Sequence, residues 1–175
     1  MSKIITLVLV VMIIFNIIIW SSIIYALVSN RYEPMSATEK IEFNIEIVER
    51  PYNWREKLDD IFKTLHFTHY RDLTKSGCAG QTILIFRIVY MHNKLTKDME
   101  AFTYAHELTH LKYFTKNETF TEYNTIIELY ESNEPYFKYL ALKFANGIIN
   151  YNWFKNTKYD CGLYLQKYFN KIKKI

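Results

Sequence analysis

The sequence predicts an α+β fold in which an N-terminal transmembrane helix precedes a compact, mostly helical domain with a small β-sheet. Three observations support this prediction. Residues 4–30 contain no charged side chain and are almost entirely apolar. Two short stretches between residues 41 and 91 have strand-like patterns, and the chain has helical patterns from about Lys97 almost to its end. Strands followed by a run of helices are typical of α+β domains.

The apolar segment at residues 4–30 is long enough to cross a membrane as a helix. About 20 residues, rising about 1.5 Å each, cover a hydrocarbon core of about 30 Å. Trp20 and Tyr25 lie near its end, where aromatic residues favour the membrane interface. A cleaved signal peptide is the alternative, but its apolar region would be only about 7–15 residues long. We therefore expect an uncleaved anchor over residues 1–30, in contact with a lipid bilayer through residues 4–30.

The charges beside this segment orient it only weakly. Lys3 and the amino terminus lie on one side, and Arg31 and Lys40 lie on the other. Because positive charges favour the cytoplasmic side, the near balance leaves a slight preference for a cytoplasmic N-terminus. The expected localisation is a single-pass membrane protein with an extracytoplasmic domain over residues 31–175.

Composition excludes several classes of protein. Half of the chain is hydrophobic, which excludes intrinsic disorder. The formal net charge is +4, and its scattered Lys and Arg residues form no basic footprint, so nucleic acid is not an expected partner. Two cysteines, Cys78 and Cys161, are too few for a thiolate zinc cluster. They pair if the domain faces an oxidising compartment, and buried free thiols are the equal alternative.

Periodicity predicts the elements of the domain. Apolar and polar residues alternate over 41–47, which is typical of a half-buried strand that Pro51 then ends. Apolar residues recur at helical spacing over 53–66, and the β-branched, aromatic run TILIFRIVYM predicts a buried strand over 82–91. The helices that follow are predicted to break near residues 115–117, 132–135 and 147–156.

The pentapeptide His106-Glu107-Leu108-Thr109-His110 carries the chemistry. On a helix, residues four apart face the same way, so both imidazoles can bind one metal ion while Glu107 lies beside them. Two neutral imidazoles and a carboxylate suit zinc, which lowers the pKa of a water molecule towards about 7. Glu107 can then take a proton from that water and deliver it to a leaving amine.

A third metal ligand is expected from the residues that follow. Glu118 and Glu122 lie eight and twelve residues after His110, beyond a turn at 115–117 in which Asn117 is a plausible helix N-cap. The next helix would fold back, and its two glutamates would share a face one turn apart. One can bind the metal while the other accepts a hydrogen bond from a ligand histidine. Spacing alone does not decide which is which.

The motif region resembles the gluzincin class of zinc metallopeptidases. HELTH followed by NETFTE matches their pattern, in which a second helix carries a ligand Glu and a polar partner four positions later. The stretch that continues to ESNEPYFKY is also similar to a family of bacterial membrane-anchored zincins of unassigned function. This resemblance implies a zincin-like domain, with His106, His110 and Glu118 as zinc ligands and with Glu122 orienting one of the ligand histidines through a hydrogen bond.

The expected function is therefore a membrane-anchored, zinc-dependent metalloendopeptidase that cleaves a peptide or protein substrate with Glu107 as general base. In zincins, a strand edge beside the active-site helix pairs with an extended substrate, and the predicted strand Thr82–Met91 is the candidate for this role here. Tyrosines close to the motif in sequence, Tyr104, Tyr113 and Tyr123, are candidate transition-state donors. The alternative is a non-catalytic, membrane-tethered zincin-fold module for binding or interaction. A solvated helix face without metal and a purely structural zinc site are further alternatives.

Overall fold

The computed structural model describes residues 10–20 and 33–173 of the 175-residue chain. Helix α1 covers residues 10–20. The remaining elements follow in this order: α2 Trp54–Phe62, β1 Phe67–Arg71, a short 3₁₀ turn Thr74–Ser76, β2 Gly80–Ile83, β3 Ile88–His92, α3 Lys97–Tyr113, α4 Glu118–Glu131, α5 Pro135–Asn150 and α6 Gly162–Ile172. The domain is thus α+β, with many more residues in helices than in strands.

The predicted transmembrane helix is wrong for the part of the chain that the structure describes. Among those residues, no helix combines the length and the apolar character needed to cross a membrane. A membrane-spanning helix needs about 20 apolar helical residues, and the structure describes helix over residues 10–20 of this segment. The rest of the predicted segment, residues 4–9 and 21–30, lies outside the described residues. The predicted single-pass membrane localisation depended on this helix and is contradicted with it.

The small sheet differs from the predicted strands. Its order is β1-β3-β2, with β1 parallel and β2 antiparallel to β3. The single strand predicted over 82–91 is wrong, because a turn divides it into β2 and β3. Arg87 closes that turn with a positive φ of 52° and donates its backbone N–H to the Leu84 carbonyl. The apolar run therefore contains a hairpin, and β1 was not predicted.

The stretch predicted as a strand over 41–47 has no regular secondary structure and pairs with no strand in the described part of the chain. Ile41 is buried, and Phe43 and Ile45 pack partly against the core, so the alternation of apolar residues does reflect burial. The backbone of Ile41 is satisfied by a side chain instead of a neighbouring strand. Its N–H donates to Oδ1 of Asn150 at 2.8 Å, and its carbonyl accepts from Nδ2 of the same residue at 2.6 Å.

Helix α3 is the centre of the domain. It contacts α2, α4, β2 and β3, and every side chain from Ala101 to Leu111 is buried. Helix α4 packs on α5, and α5 packs on α6. Because α3 is covered on all sides, the polar residues of its middle turns must find partners inside the domain. This burial places the HELTH pentapeptide in the interior, where hydrogen bonds fix its side chains.

Several predicted helix boundaries are confirmed. The breaks at 115–117 and 132–135 separate α3, α4 and α5, and Pro135 occupies the first turn of α5, where its missing N–H costs nothing. Two boundaries differ. The helix predicted over 53–66 ends at Phe62 because Lys63 adopts a left-handed conformation. Helix α5 continues to Asn150, so the last break begins at residue 151.

The carboxylate of Asp98, at the start of α3, joins that helix to α5. It accepts hydrogen bonds from the hydroxyls of Tyr136 and Tyr139, each at 2.9 Å, and from Nζ of Lys143 at 2.6 Å. Burial alone would raise the pKa of Asp98, but these three hydrogen bonds hold it below its usual value. The carboxylate of Asp98 therefore binds a proton more tightly in the unfolded chain than in the folded chain.

Replacing Asp98 with asparagine should destabilise the fold at pH 7 by about 1–3 kcal/mol. The stabilisation from the carboxylate is complete above its unfolded pKa near 4 and is lost as the pH falls through its lower folded pKa. Urea unfolding of both proteins at pH 7 and pH 3 should therefore show a smaller difference at pH 3. Asp60→Asn, an exposed carboxylate of α2, is the control. An equal difference at both pH values would contradict this linkage.

Candidate metal centre

The turn between α3 and α4 brings the predicted metal ligands together. Helix α3 ends where Phe114 takes a left-handed conformation with φ 49°. Helix α4 then begins at Glu118, and the predicted N-cap is confirmed because Oδ1 of Asn117 accepts from the Phe120 N–H at 2.8 Å. The chain thus reverses within three residues, and the first turn of α4 faces the side of α3 that carries His106 and His110.

Three donor atoms converge on one point in this reversal. Nε2 of His106 and Nε2 of His110 lie 3.1 Å apart, and each lies 3.1 Å from Oε2 of Glu118. A tetrahedral zinc ion with bonds of about 2.05 Å would separate its ligand atoms by about 3.3 Å. The three atoms are therefore spaced as metal ligands are. His106, His110 and Glu118 form a group that could hold a metal ion.

The hydrogen bonds of His110 fix which of its nitrogens faces the centre. Nδ1 lies 2.7 Å from the carbonyl oxygen of Thr115, which can only accept, so Nδ1 carries the proton. The Thr121 hydroxyl lies 3.2 Å from the same nitrogen and donates to the Asn117 carbonyl. In the neutral imidazole, Nε2 then presents its lone pair to the centre. This is the state in which histidine binds a metal.

Glu122 has the corresponding place beside His106. Its Oε2 lies 2.7 Å from Nδ1 of His106, a close contact that does not meet the geometry of a hydrogen bond. Only 3% of Glu122 is exposed, so its carboxylate is an interior group. Glu118 thus contacts the inner nitrogens of both histidines and Glu122 contacts an outer nitrogen. That arrangement matches the roles predicted for them, which stay predictions.

Electrostatics in the centre favour positive charge. Burial alone would lower the pKa of His106, but its contacts with Glu118 and Glu122 raise it to about 10. Burial would likewise raise the pKa of Glu118, but hydrogen bonds with His106 and His110 hold it far below its usual range. Three carboxylates, counting Glu107, lie around two imidazoles in the interior. A divalent cation would neutralise this negative charge where its three donors converge.

Glu107 lines the same cavity as the three donors. The cavity has a volume of about 520 Å³ and lies between α3, β2 and the loop that precedes α6. Only 5% of Glu107 is exposed, and its Oε2 accepts a hydrogen bond of 2.6 Å from the Thr82 hydroxyl. Gly80 lies so close that a Cβ there would be 2.6 Å from Oε1 of Glu107. Strand β2 therefore packs directly on this carboxylate.

Similarity to known proteins does not assign this centre. Comparisons with family models, curated proteins and solved structures find no match to this chain. The resemblance to gluzincins depends on the motif region alone and stays a prediction.

The sequence missed several residues of the cavity. Tyr159 lines it, with its ring centroid 6.0 Å from that of His106, and Lys158 places Nζ 3.3 Å from Oε1 of Glu118. Thr82 also comes from outside the motif region. Lys158 and Tyr159 are far from the pentapeptide in sequence and match no pattern. Thr82 was predicted only as part of a strand that could pair with the substrate.

The three tyrosines considered as transition-state donors are engaged elsewhere. The Tyr104 hydroxyl lies 2.8 Å from Nε2 of His66 and donates to Asp59 at 2.9 Å, and the Tyr113 hydroxyl donates to Glu128 at 2.8 Å. Tyr123 stacks edge-on against two tyrosines of α6. None of the three lines the described cavity.

Both cysteines are free thiols. Cys78 is exposed on the wall of the cavity, and Cys161 is fully buried at the start of α6. Burial raises the pKa of the Cys161 thiol well above its usual value. The alternative of buried free thiols therefore holds for Cys161, whereas Cys78 is free but exposed.

Proposed function

We propose that this chain is a zinc-dependent metallopeptidase that hydrolyses peptide bonds. The observation that carries the proposal is the convergence of two imidazole nitrogens and one carboxylate oxygen, 3.1 Å apart, in a cavity that also holds Glu107. Two neutral imidazoles with one carboxylate are a donor set that catalytic zinc sites use. The gluzincin-like pattern of the motif region supports the same proposal.

Each residue of the centre has a role in this proposal. His106, His110 and Glu118 hold the metal, and zinc supplies a Lewis acid that polarises a peptide carbonyl and activates water. Glu107 accepts a proton on its carboxylate and later delivers it to the leaving amine nitrogen. Glu122 and the Thr115 carbonyl hold the two imidazoles in the orientation that points Nε2 inward.

Strand β2 offers a place for an extended peptide. It lies at the edge of the sheet, so within the described residues its outer side has no strand partner. Gly80 and Thr82 of this strand line the cavity. Backbone hydrogen bonds along such an edge bind a peptide main chain without selecting its side chains. The substrate is therefore a peptide or protein segment that can adopt an extended conformation.

Metal analysis and hydrolysis of peptides test this proposal together. The full chain, loaded with zinc and freed of excess ion, should contain about one zinc per chain and cleave an internally quenched peptide library. A chelator should abolish cleavage, and added zinc should restore it. Bound zinc without cleavage would instead favour a non-catalytic binding module. A chain that binds no metal would contradict the peptidase proposal.

A further inference from the structure

We infer that Thr82 is a positioning residue that holds the carboxylate of Glu107 in the orientation needed for proton transfer. This inference rests on the proposed function, in which Glu107 is the general base. Oγ1 of Thr82 lies 2.6 Å from Oε2 of Glu107 and 3.2 Å from the backbone carbonyl of the same residue. Both are acceptors, so the single hydroxyl proton is donated to the closer and charged one.

The sheet holds Thr82 in place. In β2, Thr82 pairs with Val89 of β3, which is completely buried. Neighbouring residues of paired strands point to the same face of a sheet, so the threonine side chain is directed to the core side, where α3 packs. A hydroxyl on this rigid element restricts the rotation of the Glu107 carboxylate more than a loop residue would.

The surroundings of Glu107 leave one oxygen for chemistry. Oε2 is engaged by Thr82, whereas Oε1 accepts no hydrogen bond from the described residues and lies beside Gly80. Because residue 80 has no Cβ, this oxygen has the room that an alanine methyl would fill. Thr82 and Gly80 together thus make the two oxygens unequal, with Oε2 anchored and Oε1 left to take and give the proton.

Thr68, which lies on the other side of Val89, provides the matched control. Thr68 of β1 also pairs with Val89, from the parallel side of β3. Thr68→Val therefore removes one hydroxyl from the same sheet and face, without touching Glu107. Thr82→Val removes the hydroxyl that holds the carboxylate, and Thr82→Ser keeps it.

Steady-state kinetics of the zinc-loaded full chain provide the first readout. Thr82→Val should lower kcat by about 10-fold to 100-fold, because a displaced catalytic group loses its alignment. KM should change by less than about twofold, since substrate binding is not altered. Zinc content should be unchanged, Thr82→Ser should recover most of kcat, and Thr68→Val should have little effect. Full activity in Thr82→Val, or equal losses in the valine and serine variants, would overturn the inference.

Thermal unfolding of the metal-free chain provides a readout that does not depend on hydrolysis. The melting temperatures of Thr82→Val, Glu107→Ala and the double variant form a cycle that reports the contact between the two side chains. If the hydroxyl binds the carboxylate, the double variant should lose less than the sum of the single losses. Additive losses overturn the inference whether or not the chain is a peptidase. A coupled cycle in an inactive chain would keep Thr82 as the partner of Glu107, and the peptidase proposal alone would fail.

Discussion

Replacing Glu107 with glutamine should lower peptide hydrolysis by about 10²-fold to 10⁴-fold while the chain keeps its metal. Glutamine has the shape of glutamate but cannot take up a proton from water at neutral pH. The three donor atoms of His106, His110 and Glu118 do not include Glu107, so metal binding should persist. Rates with a quenched peptide and zinc content from the same preparation measure the two effects together.

A glutamate at the far end of α4 serves as the control for this change. Glu131 accepts a hydrogen bond from the Tyr168 hydroxyl on the surface and does not line the cavity. Glu131→Gln removes one carboxylate charge and should leave both rate and zinc content as they were. A Glu107→Gln chain that still cleaves peptides would refute the assignment of the general base. Loss of zinc in that variant would mean that Glu107 is itself a ligand.

The sequence predicted the part of the metal centre whose residues lie close together in the chain. His106 and His110 are one helical turn apart, and a three-residue turn brings Glu118 to them. Helical spacing and turn chemistry are enough to place such a group. Thr82 is 25 residues before Glu107 and reaches it from a different element. Its place depends on how β2 packs on α3, which no local pattern encodes.

The predicted strands failed where local pattern and tertiary pairing differ. The run over 82–91 contains neither Gly nor Pro, yet it turns back at Arg87, so the usual signals of a hairpin are missing. Residues 41–47 alternate between apolar and polar as predicted, but the backbone of Ile41 bonds to the side chain of Asn150 instead of a neighbouring strand. A period of two indicates which side chains are buried, and only the rest of the fold decides whether a strand lies alongside.

Composition also overstated what the described part of residues 4–30 forms. The absence of charges predicted a membrane-spanning helix, but a spanning helix also requires about 20 continuous helical residues. The structure describes residues 10–20 of this stretch as helix, and no described helix is long enough. The apolar character of a segment is a property of its sequence, whereas helix length is a property of the fold.

Replacing Glu118 with glutamine should abolish metal binding, whereas the same change at Glu122 should only weaken it. Glu118 places Oε2 3.1 Å from both inner nitrogens, so Glu118→Gln leaves two imidazoles and a neutral amide. Glu122 contacts the outer nitrogen of His106, and loss of such a partner typically costs 10-fold to 100-fold in affinity. Competition with a chromophoric zinc chelator gives both dissociation constants.

The order of zinc affinities among these variants should also appear in their thermal stability, because a metal that binds only the folded chain stabilises it. A free zinc concentration 100 times the dissociation constant contributes about 2.7 kcal/mol, so adding a chelator should lower the melting temperature of the unmodified chain. Glu122→Gln should respond less at the same free zinc concentration, and Glu118→Gln should not respond. Glu128 pairs with Lys112 and does not line the cavity, so Glu128→Gln should behave like the unmodified chain. If Glu122→Gln instead lost its metal and Glu118→Gln kept it, the two glutamates would exchange roles, and Glu122 would be the third ligand.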